Sequence, residues 1–144
     1  MKRKFFIFFM LLSSFSVFAQ LTNEQKQIPE GKWVLEQENV RASKGCNHAK
    51  GTHAHDVDMN NVNIELFTQL EVKQNSITLK SSKSTLRGKY TYSDREGIRF
   101  DSPTIPFSSG GNVIAGKLYL QQRINDPLDE SDPTYVSFVY EQKK

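Results

Sequence analysis

The chain has a single cysteine, Cys46, among its 144 residues, which excludes an internal disulfide. The covalent haem signature Cys-x-x-Cys-His is absent with it. No paired carboxylates, nucleophile triad or cofactor fingerprint falls on a regularly patterned segment, so the chain does not read as an enzyme. Ser108 to Gly111 is glycine-rich but precedes a strand rather than a helix, which argues against a phosphate cradle. Past Phe18 no stretch is apolar enough to span a bilayer, which takes about 20 residues. A convincing amphipathic helix, internal repeats and low-complexity tracts are all missing.

What is there begins with a leader. Lys2, Arg3 and Lys4 precede an apolar run from Phe5 to Phe18, broken by Ser13, Ser14 and Ser16. Val17 and Ala19 suit the −3 and −1 positions of signal peptidase, so residues 1–19 are expected to be a cleaved signal peptide and the protein periplasmic or secreted. The alternative is a retained N-terminal anchor. No cysteine follows the cut, which disfavours a lipoprotein. The formal net charge of +3 belongs to the leader, and its removal leaves 16 basic against 16 acidic residues. Partners of the nucleic-acid or anionic-membrane type are therefore not expected. A lone thiol is unusual in an oxidising compartment. Cys46 is buried and inert, paired with another chain, or held by a metal.

Residues 20–30 are polar and read as a flexible N-terminal segment, leaving 31–144 as one domain. The dominant signal there has period two. Val62, Ile64, Leu66, Leu70 and Val72 occupy even positions, with Asn63, Glu65, Gln69, Glu71 and Lys73 between them, which predicts one long strand. Gln74-Asn75 turns the chain into Ile77 and Leu79. Leu86, Tyr90 and Tyr92 share the next face, Asp94 to Gly97 turns again, and Ile98 and Phe100 follow. Ser102 to Asn112, with Pro103, Pro106, Gly110 and Gly111, reads as a loop. Val113 and Ile114 add a short strand. Leu118, Leu120, Gln122 and Ile124 alternate, an acidic loop with Pro127 and Pro133 comes next, and Val136, Phe138 and Tyr140 close the chain. With Lys32 to Val40 as the first, the prediction is about eight antiparallel strands in a meander. Closure into a barrel removes the exposed edges, and a two-sheet sandwich is the competing arrangement. Arg41 to Asn61 is a far longer connection than a hairpin needs.

Gly31-Lys32-Trp33 opens the first strand. A Gly-x-Trp there, followed by a long first loop and a β-meander, resembles the lipocalins and, more broadly, the calycin-type barrels of small exported bacterial proteins. The resemblance implies that Trp33 plugs one end of a barrel and that a small apolar ligand occupies its cavity. It also implies an arginine from a late strand against the tryptophan, a role for which Arg123 is the candidate. A hollow barrel would line its ligand site with Leu66, Leu79, Tyr90, Phe100, Leu120 and Phe138.

The three histidines and the cysteine all fall in the long first loop, as Cys46, His48, His53 and His55, with Asp56 and Asp58 beyond. If Ala49 to Thr52 is a four-residue turn, His48 faces His53 and Cys46 faces His55, with all four on one face of a hairpin. One thiolate and three imidazoles suit a zinc or copper ion. The alternative is a solvated polar loop. Asp126, Asp129, Glu130 and Asp132 form an acidic stretch that reads as a solvated hairpin tip rather than a calcium site. Lys80, Lys83, Arg87 and Lys89 read as solvated strand faces, since few aromatics are interleaved. Two functional expectations follow: an exported lipocalin-like barrel that binds a small apolar ligand, or a structural or interaction protein of the cell envelope that works on a protein partner through its surface.

Overall fold

A computed structural model describes residues 24–44, 55–126 and 129–144, with the side chains at 126 and 129–132 excepted. The described residues form eleven strands: β1 (Gln25–Lys26), β2 (Gly31–Leu35), β3 (Arg41–Lys44), β4 (His55–Val57), β5 (Gln69–Lys73), β6 (Ser76–Lys80), β7 (Thr85–Ser93), β8 (Gly97–Phe100), β9 (Asn112–Ile114), β10 (Lys117–Asp126) and β11 (Asp129–Lys143). Every pairing is antiparallel. No α-helix occurs among the described residues, as the period-two patterning predicts.

Eight strands follow one another in the order β1-β7-β6-β5-β2-β11-β10-β9, with β8 on β7, β3 on β11 and β4 on β3. The sheet curls into an open half-barrel, which corrects the expected closure. No continuous ladder joins β8 to β9. Across that gap Ile98 N donates to Gly111 O at 2.7 Å and Gly110 N donates to Ile98 O at 3.0 Å. Tyr92 adds a side-chain link, its hydroxyl donating to Asn112 Oδ1 at 2.8 Å and accepting from Val113 N at 3.2 Å. Gly97 makes this approach possible. Its φ is +67°, and a Cβ there would stand 2.8 Å from the Gly110 backbone.

The strands differ from the expectation in three places. Lys32 to Val40 is not one strand. β2 ends at Leu35, a 3-10 turn spans Gln37–Asn39, and β3 resumes alongside β11. The first strand is thus kinked and meets β11 in two separate stretches. The predicted strand from Val62 to Val72 survives only as β5. Val62 and Ile64 are half-buried, Leu66 is 37 % exposed, and Phe67 is buried at 3 %. The alternation changes phase between Leu66 and Phe67, because the larger ring goes inside and its carbonyl accepts the Tyr140 hydroxyl at 2.9 Å. Finally, the acidic loop is shorter than expected. β11 already runs from Asp129, and Pro133 sits where the β10–β11 register shifts between Ile124 and Asp126. Proline is tolerated at such a bulge, where a ladder N–H is not required.

The core lies on the concave face. Trp33, Leu70, Val72, Ile77, Leu79, Ile98, Leu118, Val136, Phe138 and Tyr140 are each at most 1 % exposed. Among the described residues no polar or charged side chain is buried. The surprise is the segment 101–110 between β8 and β9. It has no regular structure, yet it buries Ile105 at 5 % and Phe107 at 6 %.

Candidate functional site

The interior is the first place to look, because the lipocalin resemblance puts a ligand there. Leu79, Tyr90, Leu120 and Phe138 are buried and Phe100 is half-buried, so five of the six expected lining residues do belong to the concave core. Leu66 does not; it faces solvent for the reason just given. The space between them holds Phe107. Its ring lies 5.5 Å from Phe138, 5.9 Å from Phe100, and 6.4 Å from both Phe67 and Tyr140, with three of these four contacts edge-to-face. These separations are those of packed aromatic pairs. The strap carrying Phe107 is held at both ends. Asp101 N donates to Lys89 O at 3.2 Å, and Ser108 N donates to Gln121 O at 2.7 Å. Ser108 Oγ also accepts from Arg123 N at 3.0 Å. Gly88 lets Ile105 close in, since a Cβ on that glycine would meet Ile105 Cγ1 at 2.8 Å.

Trp33 is fully buried, and its indole N–H donates to Pro29 O at 3.1 Å. Arg123 is not its partner. Arg123 pairs with Tyr135 and Trp33 with Gln142, seven residues further along β11. That separation is about 24 Å along a strand rising about 3.4 Å per residue. Burial pushes the Tyr140 hydroxyl above the ordinary tyrosine range, and Tyr90 is raised by the same cause. Both hydroxyls are spent on the backbone, Tyr90 donating to Gln74 O at 2.7 Å while accepting from Ile28 N at 3.1 Å. Neither is arranged as an acid or base.

Of the expected metal ligands, Cys46, His48 and His53 lie outside the described residues. His55 is on β4 and exposed. Its cross-strand partner is Lys44, and the expected pairing of Cys46 with His55 lies partly outside the described residues. No group of three His, Cys, Asp or Glu side chains comes together among the described residues. The side chains of Asp126, Asp129, Glu130 and Asp132 are not described.

A groove of about 630 Å³ runs between residues 64–69 and 80–83. Glu65 lines it, its carboxylate accepting from the Ser81 hydroxyl and, at 2.7 Å, from the Ser84 hydroxyl. These two donors hold it below the usual carboxylate range. That role is structural, because Ser81 Oγ also accepts from Lys83 N and Ser84 N and so fixes the β6–β7 turn. A second pocket of about 360 Å³ is lined by Val57, Val62 and Ile124 with Lys44, Asn61, Asn63, Asn125 and Thr134.

On the outer face of the sheet Glu71 is held below the carboxylate range, first by the hydrogen bond from Lys80 and then by the charges of Lys80 and Lys73. The register brings Lys32 and Lys73 beside Lys80, Arg87 and Lys89, a grouping that the spacing along the chain does not reveal. No family model, curated protein or solved structure matches the chain.

Proposed function

We propose that this is an exported, non-enzymatic, lipocalin-like half-barrel that acts through its outer surface on a component of the cell envelope, instead of enclosing an apolar ligand. One observation carries the reading: Phe107, from a segment with no regular structure, occupies the interior against four aromatic rings. A ligand in that position would have to displace a buried phenyl group and the strap tethered at Lys89 and Gln121. The leader over 1–19 supports export.

Native mass spectrometry of untagged protein from the periplasm or medium tests this. The expected mass is that of a chain beginning at Gln20, with no apolar molecule bound. A stoichiometric lipid or other apolar adduct would overturn the surface reading. An apolar ligand has an alternative seat in the pocket of Val57, Val62 and Ile124. An adduct lost on Val62→Asp would place it there.

A further inference from the structure

We propose that the convex face of β2, β5, β6 and β7 binds a linear anionic polysaccharide. This rests on the surface reading above and names its partner class. The mature chain has no net charge, but the register sorts its charges. Lys32, Lys73, Lys80, Arg87 and Lys89 come from four strands, and all five are exposed on the outward parity. One cross-strand row reads Lys32, Glu71, Thr78, Arg87. The next reads Lys73, Ser76, Lys89. Lys80 stands on a third, between Gln69 and Thr85. With strands about 4.8 Å apart, Lys32 and Arg87 are separated by about 14 Å and Lys73 and Lys89 by about 10 Å.

Glu71 is the carboxylate within this group, with Glu30, Asp101 and Glu141 at its margins. Glu71 engages Lys80 at 3.4 Å and Lys73 at 3.7 Å. Among the described residues Lys32, Arg87 and Lys89 make no ion pair. A depression of about 250 Å³ lies at the centre, lined by Glu71, Lys73, Ser76, Thr78, Lys80 and Arg87. Three cations, the Glu71 carboxylate and two hydroxyls ring this hollow, a net charge of +2 with Arg87 free of ion pairs among the described residues. Ser76 Oγ donates to Lys73 O at 2.8 Å while keeping its lone pairs. The set suits a sulfate, phosphate or carboxylate group flanked by sugar hydroxyls.

The face also says what the partner is not. It presents no aromatic side chain, so unpaired bases have nothing to stack on. Val34 is its one large apolar group, 37 % exposed, so it lacks the anchors that hold a surface in a bilayer. A convex sheet meets a flat membrane along a narrow line, whereas a flexible polyanion follows the curve across all three rows.

The test is equilibrium binding of the full mature protein to heparin and dextran sulfate as probes, with uncharged dextran as the blank, across a salt series. We expect salt-sensitive binding to both sulfated chains. The triple variant Lys73→Ala, Arg87→Ala, Lys89→Ala should bind about tenfold more weakly. Arg41→Ala, Arg95→Ala, Arg123→Ala, which removes the same charge elsewhere, should bind as the unaltered protein does. Glu71→Gln should bind more tightly, and Glu38→Gln, with the same net change, should not. Absence of binding at low salt, or equal losses in the two triple variants, would overturn the proposal. Tighter binding to single-stranded oligonucleotide or to phosphatidylglycerol vesicles than to the polysaccharides would also overturn it. An apolar adduct in the native mass spectrum would defeat the surface reading without changing these comparisons, so the two failures are separable.

Discussion

The meander from Gln69 to Phe100 and the strap from Asp101 to Gly110 fill the same core by opposite means. In the meander, backbone hydrogen bonds go to neighbouring strands and alternation decides which side chains turn inward. In the strap, the backbone is tethered at a few points and two side chains, Ile105 and Phe107, do the burying. A regular sheet that curls only halfway leaves its concave face open, and the missing wall comes from a connection. The open face of the half-barrel is thus covered by apolar side chains from a connection and not by another strand.

The largest effect is expected from Phe107→Ala. It removes a ring from between four others, and truncating a buried phenylalanine costs about 3–5 kcal/mol. Urea unfolding should report a loss in that range. A loss near zero would mean that the strap does not seal the core. Within the meander, Leu70→Ala should cost about 2–5 kcal/mol and the neighbouring Leu66→Ala less than about 1 kcal/mol, since one is buried and the other faces solvent. Equal losses would contradict the phase change between them.

A third substitution acts where the two regions touch. Gly88→Val should cost about 1–3 kcal/mol, because the new side chain enters space held by Ile105 and Ser102. Hydrogen exchange should then rise in 101–110 and not in β5 or β6. A rise spread evenly over the sheet would place the strain elsewhere.

The smallest effect is electrostatic and lies outside both regions. Glu36 accepts from Lys117 Nζ at 2.6 Å and from Asn39, which lowers its pKa in the folded state. A carboxylate with a depressed folded pKa adds stability above its unfolded pKa and loses it as pH falls through the folded one. The difference in Tm between the unaltered protein and Glu36→Gln should therefore be full at neutral pH and shrink as pH drops below the ordinary value of 4.5. A difference that is constant from pH 7 to pH 3 would rule out the ion pair as its source.

How much of this the sequence discloses depends on whether a residue follows its local pattern. β6, β7, β8 and β9, with their turns, are legible because alternation and turn chemistry agree. The buried Trp33 is legible as well. Phe107 is not, because Pro103, Pro106, Gly110 and Gly111 around it advertise a solvated loop, and only the unexpected apolar pair Ile105 and Phe107 hints otherwise. Leu66 misleads because five even-numbered apolar residues suggest one unbroken strand, and the cost of exposing Phe67 appears only in three dimensions. The cationic face is hidden for a related reason. Lys32, Lys73 and Arg87 are far apart in the chain and meet only through the register, while the even charge balance over residues 20–144 points away from any such surface.

The central claim, that Phe107 fills the half-barrel, is tested most directly by titrating 1-N-phenylnaphthylamine into the unaltered protein and into Phe107→Ala. The unaltered protein should show no saturable fluorescence gain, and the folded variant, whose vacated space is lined by Phe67, Phe100, Phe138 and Tyr140, should bind saturably near one equivalent. Saturable binding of the same strength to both proteins, competed by fatty acid, would contradict it.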